Sequence, residues 1–221
     1  MEKTDGEALG DSFSPRRLLS SEKVYDGRIW DVVQDTFEYA PEMAPLVRDY
    51  IEHPGAVAVL VLNDANEVLM INQYRHPVRM NLWEIPAGLM DIEDEAPHLA
   101  AARELAEEAD LIASDWAVLV DLFLSPGSSS EAIRIYLARN PREIPVDQRH
   151  ERTDEEADMA ISWVPLDDAI NAVLAGRIHN PSAVAGLLAA SAARLGNYAS
   201  LRPVDTPFDV HPRLRSTEQA T

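Results

Sequence analysis

Apolar positions along the chain predict a series of strands. Residues 23–52 alternate apolar and polar side chains and are rich in Val, Ile, Tyr, Trp and Phe, which indicates a strand-rich segment. Residues 55–63 are continuously apolar and predict a buried strand, and the turn at 63–67 joins it to a second strand at 68–75, as in a hairpin. Further strands are predicted at 82–88, 116–124, 132–139 and 159–166.

Helical periodicity appears in three separate places, at residues 96–109, 167–175 and 181–195. Pro97 suits the first turn of the first helix, and Asn180 is a suitable N-cap for the third. Few, separated helices among many strands favour an α+β fold or an α/β/α sandwich around a mixed sheet, with a small β subdomain in front. We expect a disordered tail (1–19), the β subdomain (20–53), the main domain (54–201) and a second tail (202–221).

Composition narrows the function classes. The chain has 221 residues, of which 46% are hydrophobic, and its net charge is −19 with no cysteine. Disulfides and thiolate chemistry are therefore excluded, and no apolar run reaches the roughly 18–20 residues that span a membrane. The negative field disfavours nucleic acid and anionic membrane surfaces as partners. The acidic, polar N-terminus predicts no secretion signal, so we expect a cytoplasmic protein.

Acidic residues cluster on the first predicted helix. Glu104, Glu107 and Glu108 stand at positions i, i+3 and i+4 and share one face. Without a cation each such pair destabilises a helix by roughly 0.2–0.5 kcal/mol. Oxygen-only clusters suit Mg²⁺ or Mn²⁺, and such ions can bind a diphosphate and activate water. An ordinary solvated acidic face is the alternative.

The segment around this face resembles a family motif. Residues 88–111 read GLMDIEDEAPHLAAARELAEEADL and are similar to the Nudix box, G-x5-E-x7-R-E-U-x-E-E-x-G-U, in which U is a bulky apolar residue. The matching positions are Gly88, Glu95, Arg103, Glu104, Leu105, Glu107, Glu108 and Leu111. The length of the match identifies the chain as a member of the Nudix family, whose fold is the α/β/α sandwich.

The motif departs from the family pattern at two points. Six residues rather than five separate Gly88 from Glu95. Asp94 would restore five but would leave eight before Arg103, so we favour Glu95 with a one-residue insertion in the loop. Asp110 replaces the family glycine, and we expect it to take the left-handed conformation at the helix end at a cost of about 1 kcal/mol.

The resemblance implies a role for each matched residue. The metal ligands would be the carboxylates of Glu104 and Glu108, and Glu107 would contribute to the same site. The backbone carbonyl of Ala87 would be a further ligand. The metal would be Mg²⁺, with Mn²⁺ as the alternative. Arg103 would orient the glutamates, and Glu95 would support the loop before the helix.

Other stretches resemble the ADP-ribose pyrophosphatase branch of this family. They are EHPGAVAVLVL, QYRHP and LWEIPAG, together with Pro126, which lies 15 residues after Leu111. The resemblance implies Mg²⁺-dependent hydrolysis of ADP-ribose to AMP and ribose 5-phosphate by a homodimer that exchanges its N-terminal part. Hydrolysis of another nucleoside diphosphate sugar or dinucleotide, or ADP-ribose binding without catalysis, remain the alternatives.

The same branch implies residues outside the motif. A glutamate in a later loop would accept the proton of the attacking water, with Glu156 as first choice and Glu155 as second. Arg48 and Arg75 would bind the phosphates, because a guanidinium matches a phosphate in bidentate geometry. The remaining substrate candidates are Glu131, for ribose hydroxyls, and Glu84, as a substrate or supporting acid. Surface ion pairs and an ordinary solvated loop are the alternatives.

Overall fold

The computed structural model describes residues 9–151 and 159–215. The two candidate bases, Glu155 and Glu156, lie outside these residues. The helices and strands below are those of the described part of the chain.

An antiparallel sheet of three strands begins the described structure. Its strands are β1 (Arg17–Tyr25), β2 (Asp31–Glu38) and β3 (Leu46–Glu52), paired in the order β1-β2-β3. Every residue of β1 is exposed. This sheet is the predicted small β subdomain, and its first strand starts within the segment that we expected to be disordered.

The main sheet is mixed. Its strands, with one separate pair, are β4 (Ala56–Leu62), β5 (Glu67–Arg75), β6 (Met80–Glu84), β7 (Ala87–Leu89), β8 (Leu111–Ile112), β9 (Asp115–Phe123), β10 (Ala132–Arg139), β11 (Arg142–Glu143), β12 (Ala160–Pro165) and β13 (Arg202–Pro203). The order is β12-β5-β4-β10-β9-β13, with β6 beside β5 and β7 beside β4, while β8 pairs with β11. Strands β4 and β10 are parallel, and the other pairs of the sheet are antiparallel.

Two sequence predictions for this sheet had different outcomes. The hairpin of β4 and β5 is confirmed, because the strands pair next to their turn at Leu62 and Val68. The single strand predicted over 82–88 is wrong. The chain leaves β5 at Glu84, passes Ile85–Pro86 and joins β4 at Ala87. Proline has no N–H to donate to a ladder, which is consistent with the break at this point.

Helices cover both faces of the main sheet. They are α1 (Pro97–Ala109), α2 (Leu166–Leu174) and α3 (Pro181–Arg194). One buried cluster joins α1 to Val57, Val59 and Val61, and the other joins α2 and α3 to the alternate residues of β4. The α/β/α sandwich is thereby confirmed. Within the described ranges, no helix is both long and apolar enough to cross a membrane.

The segment after Arg202 was expected to be a tail, but it packs on the domain as far as Arg215. Strand β13 extends the sheet beside β9, and Phe208 and His211 are buried. Burial of the Phe208 ring removes apolar surface from water, which favours the packed position of this segment.

Candidate active site

Strand β7 and helix α1 bring the motif residues together. The backbone N–H of Ala87 donates to Glu108 Oε2 at 2.9 Å, and Glu108 is buried. The Glu104 carboxyl group lies against the Cα atom of Gly88, since an added Cβ there would stand 1.9 Å from Glu104 Cδ. Only glycine leaves this room, so the first motif glycine seats a carboxylate of the helix against the strand.

Arg103 is the centre of the charge network. Its guanidinium binds Glu95 through two hydrogen bonds of 3.1 and 3.0 Å. Its Nη1 also donates to Glu104 at 2.7 Å and to Glu107 at 3.2 Å. Bidentate guanidinium–carboxylate contacts fix orientation as well as charge. Arg103 therefore binds three carboxylates at once.

The loop before α1 accommodates the additional residue of the motif. Asp94 has φ of 61°, in the left-handed region, within a turn closed by the Glu95 N–H donating to the Ile92 carbonyl at 3.3 Å. Glu95, and not Asp94, is the carboxylate bound to Arg103. The insertion thus lies in the loop, and the helix keeps its register.

The end of α1 adopts the predicted conformation. Asp110 has φ of 54° and ψ of 34°, and its N–H donates to the Ala106 carbonyl at 3.2 Å. The expected left-handed cap is confirmed although the residue is not glycine. An Arg149 guanidinium lies 4.0 Å from the Asp110 carboxylate.

Burial and like charge both affect Glu104. Burial raises the pKa of its carboxyl group, Glu107 and Asp91 raise it further, and Arg103 acts in the opposite direction. A cation placed among these carboxylates would relieve the same unfavourable interactions. The site therefore favours the binding of a further positive charge in addition to that of Arg103.

The donor set fits a hard divalent cation in its chemistry. It offers carboxylate oxygens on one helix face and the backbone carbonyl of Ala87 on the strand opposite, all of them hard ligands. In the described part of the chain, no three acidic or imidazole side chains are already gathered around one point that would hold an ion. Instead, Glu104 and Glu107 accept hydrogen bonds from Arg103, and Glu108 accepts one from the Ala87 N–H.

Arg75 and Glu84 face each other across the β5–β6 pair. Arg75 donates from Nε to Oε1 at 2.9 Å and from Nη2 to Oε2 at 2.7 Å. The Glu84 residue is 1% exposed, whereas the Arg75 side chain is 41% exposed. The buried Glu84 carboxylate thus fixes the orientation of Arg75, whose side chain stays partly exposed.

The other candidate residues meet at the loop 125–131. Arg48 on β3 lines an open cleft of about 390 Å³ together with Pro126 and residues 127–130. Glu131 follows directly, is half-buried, and has a pKa raised by that burial. His53 Nε2 lies 3.9 Å from Glu131 Oε1. Sequence reasoning did not single out His53 or the buried His211, because neither has a partner nearby in the chain.

Comparisons with known proteins found a matching family model, similar sequences and a similar structure. A NUDIX domain model matches residues 52–185. The chain is 43% identical over 202 residues to an ADP-ribose pyrophosphatase of Mycobacterium tuberculosis, covering 91% of this chain and 95% of that protein. It is 29% identical to an ADP-ribose pyrophosphatase of Bacillus subtilis, covering 74% and 86%. A crystal structure of an ADP compounds hydrolase has the same fold, with a TM-score of 0.70, 21% identity, and coverage of 85% and 98%.

Proposed function

The chain belongs to the NUDIX domain family, and on that premise we propose that it hydrolyses the diphosphate of ADP-ribose to AMP and ribose 5-phosphate. The proposal rests mainly on the contact between the carboxylates of α1 and strand β7. The Glu104 carboxyl group lies against Gly88, and Glu108 accepts a hydrogen bond from the Ala87 N–H. The similarity to ADP-ribose pyrophosphatases over most of the chain supports the choice of substrate.

Nudix hydrolases generally use a divalent metal. Here Glu104, Glu107, Glu108 and the Ala87 carbonyl would hold Mg²⁺, or Mn²⁺ in its place. When bound, the ion neutralises charge that develops on the phosphate oxygens and makes water more acidic. Arg103 limits how far the glutamates move, because it binds two of them and Glu95 at once.

The proton of the attacking water needs an acceptor. We keep Glu156 as first choice and Glu155 as second, in the segment that follows Glu151. Replacing Glu156 by Gln should lower kcat strongly and leave KM nearly unchanged, since the amide cannot accept the proton but keeps the size. A normal kcat in this variant moves the role to Glu155 or elsewhere.

Substrate contacts are assigned by charge and exposure. Arg75 is held by a buried carboxylate and points a partly exposed guanidinium outward, which suits a phosphate group. Arg48 lines the cleft beside the loop 125–131 and is the second phosphate candidate. Glu131 can accept hydrogen bonds from ribose hydroxyls at the end of the same loop.

The N-terminal sheet supports a homodimer. Strand β1 exposes Leu18, Leu19, Val24 and Tyr25, an apolar edge that a second copy of the chain would cover. Sedimentation at micromolar concentration tests this directly, and a monomer there contradicts it. The cytoplasmic location remains an expectation from the sequence.

Product analysis tests the proposed function. Purified protein with Mg²⁺ is offered ADP-ribose, NADH, diadenosine polyphosphates, GDP-mannose and nucleoside triphosphates at equal concentration. AMP with ribose 5-phosphate, and the highest kcat/KM for ADP-ribose, is the expected result. A better rate on another compound would retain the metal site and reject the substrate. Binding of ADP-ribose without any hydrolysis would identify a binding module instead.

A further inference from the structure

The C-terminal segment 206–213 is anchored by a buried arginine. Arg134 on β10 is 1% exposed and binds both carboxylate oxygens of Asp121, at 2.7 and 2.9 Å. Its other N–H groups donate to the carbonyls of Thr206 and Pro207, and its guanidinium lies 4.4 Å from the Phe208 ring centre. A buried charge is stable only when its donors are satisfied, so Arg134 needs this segment in place.

The segment places His211 against residues 53–55, the linker between the N-terminal sheet and the main sheet. His211 is 2% exposed, and its Nε2–H donates to the Pro54 carbonyl at 2.8 Å. Its Nδ1 accepts the Arg213 N–H at 3.2 Å, which fixes the tautomer. A Cβ on Gly55 would stand 2.0 Å from His211 Nε2, and Gly55 has φ of 92°. The imidazole therefore occupies the space that the missing side chain leaves open.

The linker in turn holds the loop 125–131. His53 N–H donates to Ser130 Oγ at 3.0 Å, and Ile51 exchanges backbone hydrogen bonds with Ser128 and Ser130. The Gly55 N–H donates to His53 Nδ1 at 3.1 Å, so the other ring nitrogen, Nε2, carries its proton toward Glu131. Residues of the linker thus contact the loop immediately before Glu131 and Glu131 itself.

We propose that His211 is a positioning residue for Glu131, acting through the linker 53–55 and the loop 125–131. The inference rests on the proposed function, in which Glu131 binds substrate. The motif strand β7 depends less on the linker, because it pairs with β4 along Ala56–Ala58 as well as through the Met90 N–H and the Gly55 carbonyl. Loss of His211 should therefore weaken substrate binding more than turnover.

Steady-state kinetics of His211 variants test the proposal. His211→Ala removes the donor to Pro54 and opens a cavity over Gly55, and we expect KM for ADP-ribose to rise about tenfold with kcat within about threefold. His211→Gln retains a donor of similar reach and should restore KM to within about threefold. Asp209→Asn, an exposed change in the same segment, is the matched control and should leave both constants unchanged.

Coupling to Glu131 separates positioning from general destabilisation. In a Glu131→Gln background, His211→Ala should raise KM by less than about twofold, because the group it positions is already lost. The same tenfold increase in that background would overturn the proposal, as would an unchanged KM in His211→Ala itself.

Amide hydrogen exchange gives a readout that does not depend on the substrate. In His211→Ala, the Ile51 and Ser130 amides should exchange faster while the buried strand β4 stays protected. If the wild type does not hydrolyse ADP-ribose but this local change is seen, the proposed function fails and the contact pathway stands. Uniform loss of protection, or none, would overturn the positioning role whatever the activity.

Discussion

Replacing Gly88 by alanine perturbs the site at one atom. The new Cβ would stand 1.9 Å from Glu104 Cδ and 2.2 and 2.3 Å from the two carboxylate oxygens. Real Cβ contacts are essentially never below 3.0 Å, so the carboxyl group has to retreat by about 1.1 Å, the difference between the two distances. The three atoms nearest to the added Cβ all belong to the Glu104 side chain.

The expected effects on activity and stability therefore differ in size. Misplacing a catalytic group by about 1 Å lowers the rate by roughly 100-fold. Rotation of one side chain should change the free energy of unfolding by no more than about 1 kcal/mol, which is roughly 2–4 °C in Tm for a chain of this length. Gly88→Ala should thus give a folded protein that is nearly inactive.

AMP release and thermal unfolding measure the two effects on the same samples. Gly196→Ala is the matched control, because its Cβ would have ordinary van der Waals contact only, 3.8 Å from the Ala193 carbonyl oxygen. Activity of Gly88→Ala within about threefold of the wild type would refute the reasoning, because the Glu104 carboxylate would then not be needed where it lies. A large fall in Tm would show that the change acts through the fold.

Two further predictions concern the charged groups. Arg75→Ala leaves the buried Glu84 carboxylate without its bidentate partner and should lower the free energy of unfolding by about 2 kcal/mol. This loss is smaller than for a fully buried pair, because the Arg75 side chain is partly exposed. Adding Glu84→Gln to this variant should recover most of the lost Tm, and no recovery would show that the two residues do not act as a pair. Burial raises the pKa of Glu104 above its ordinary 4.5, so ionisation of this carboxyl group destabilises the folded protein as the pH rises above that value. In metal-free buffer, the stability of Glu104→Gln relative to the wild type should therefore increase as the pH rises above about 4.5, and a pH-independent difference would contradict this.

Local patterns in the sequence predicted the features that depend on local chemistry. The strand at 132–139 has the predicted bounds, because its apolar run is bounded by polar residues on both sides. The proline at the start of α1, the Asn180 cap and the left-handed Asp110 also follow from rules that involve a few neighbouring residues. The carboxylates that Arg103 binds lie within eight residues of it, so the motif spacing already brought them together.

Contacts between distant parts of the chain were not predictable in this way. His211 and Pro54 are 157 residues apart, and Arg134 binds carbonyls 72 and 73 residues later. No periodicity or composition connects such residues. The proline-rich composition of the segment from Arg202 onward predicted a tail, not a segment packed on the domain. The prediction of a single strand at 82–88 was wrong because the apolar pattern continues across Pro86. The backbone hydrogen bonds of this segment change there from strand β5 to strand β4.

The dependence of ADP-ribose hydrolysis on Mg²⁺ and on Glu108 tests the central claim most directly. AMP formation by the wild type is measured from chelator to millimolar Mg²⁺, beside Glu108→Gln, which keeps an oxygen to accept the Ala87 N–H. The account predicts no turnover in chelator, a saturable rise with Mg²⁺, and a rate at least about 100-fold lower for the folded variant. Metal-independent turnover, or a variant as fast as the wild type, would contradict it.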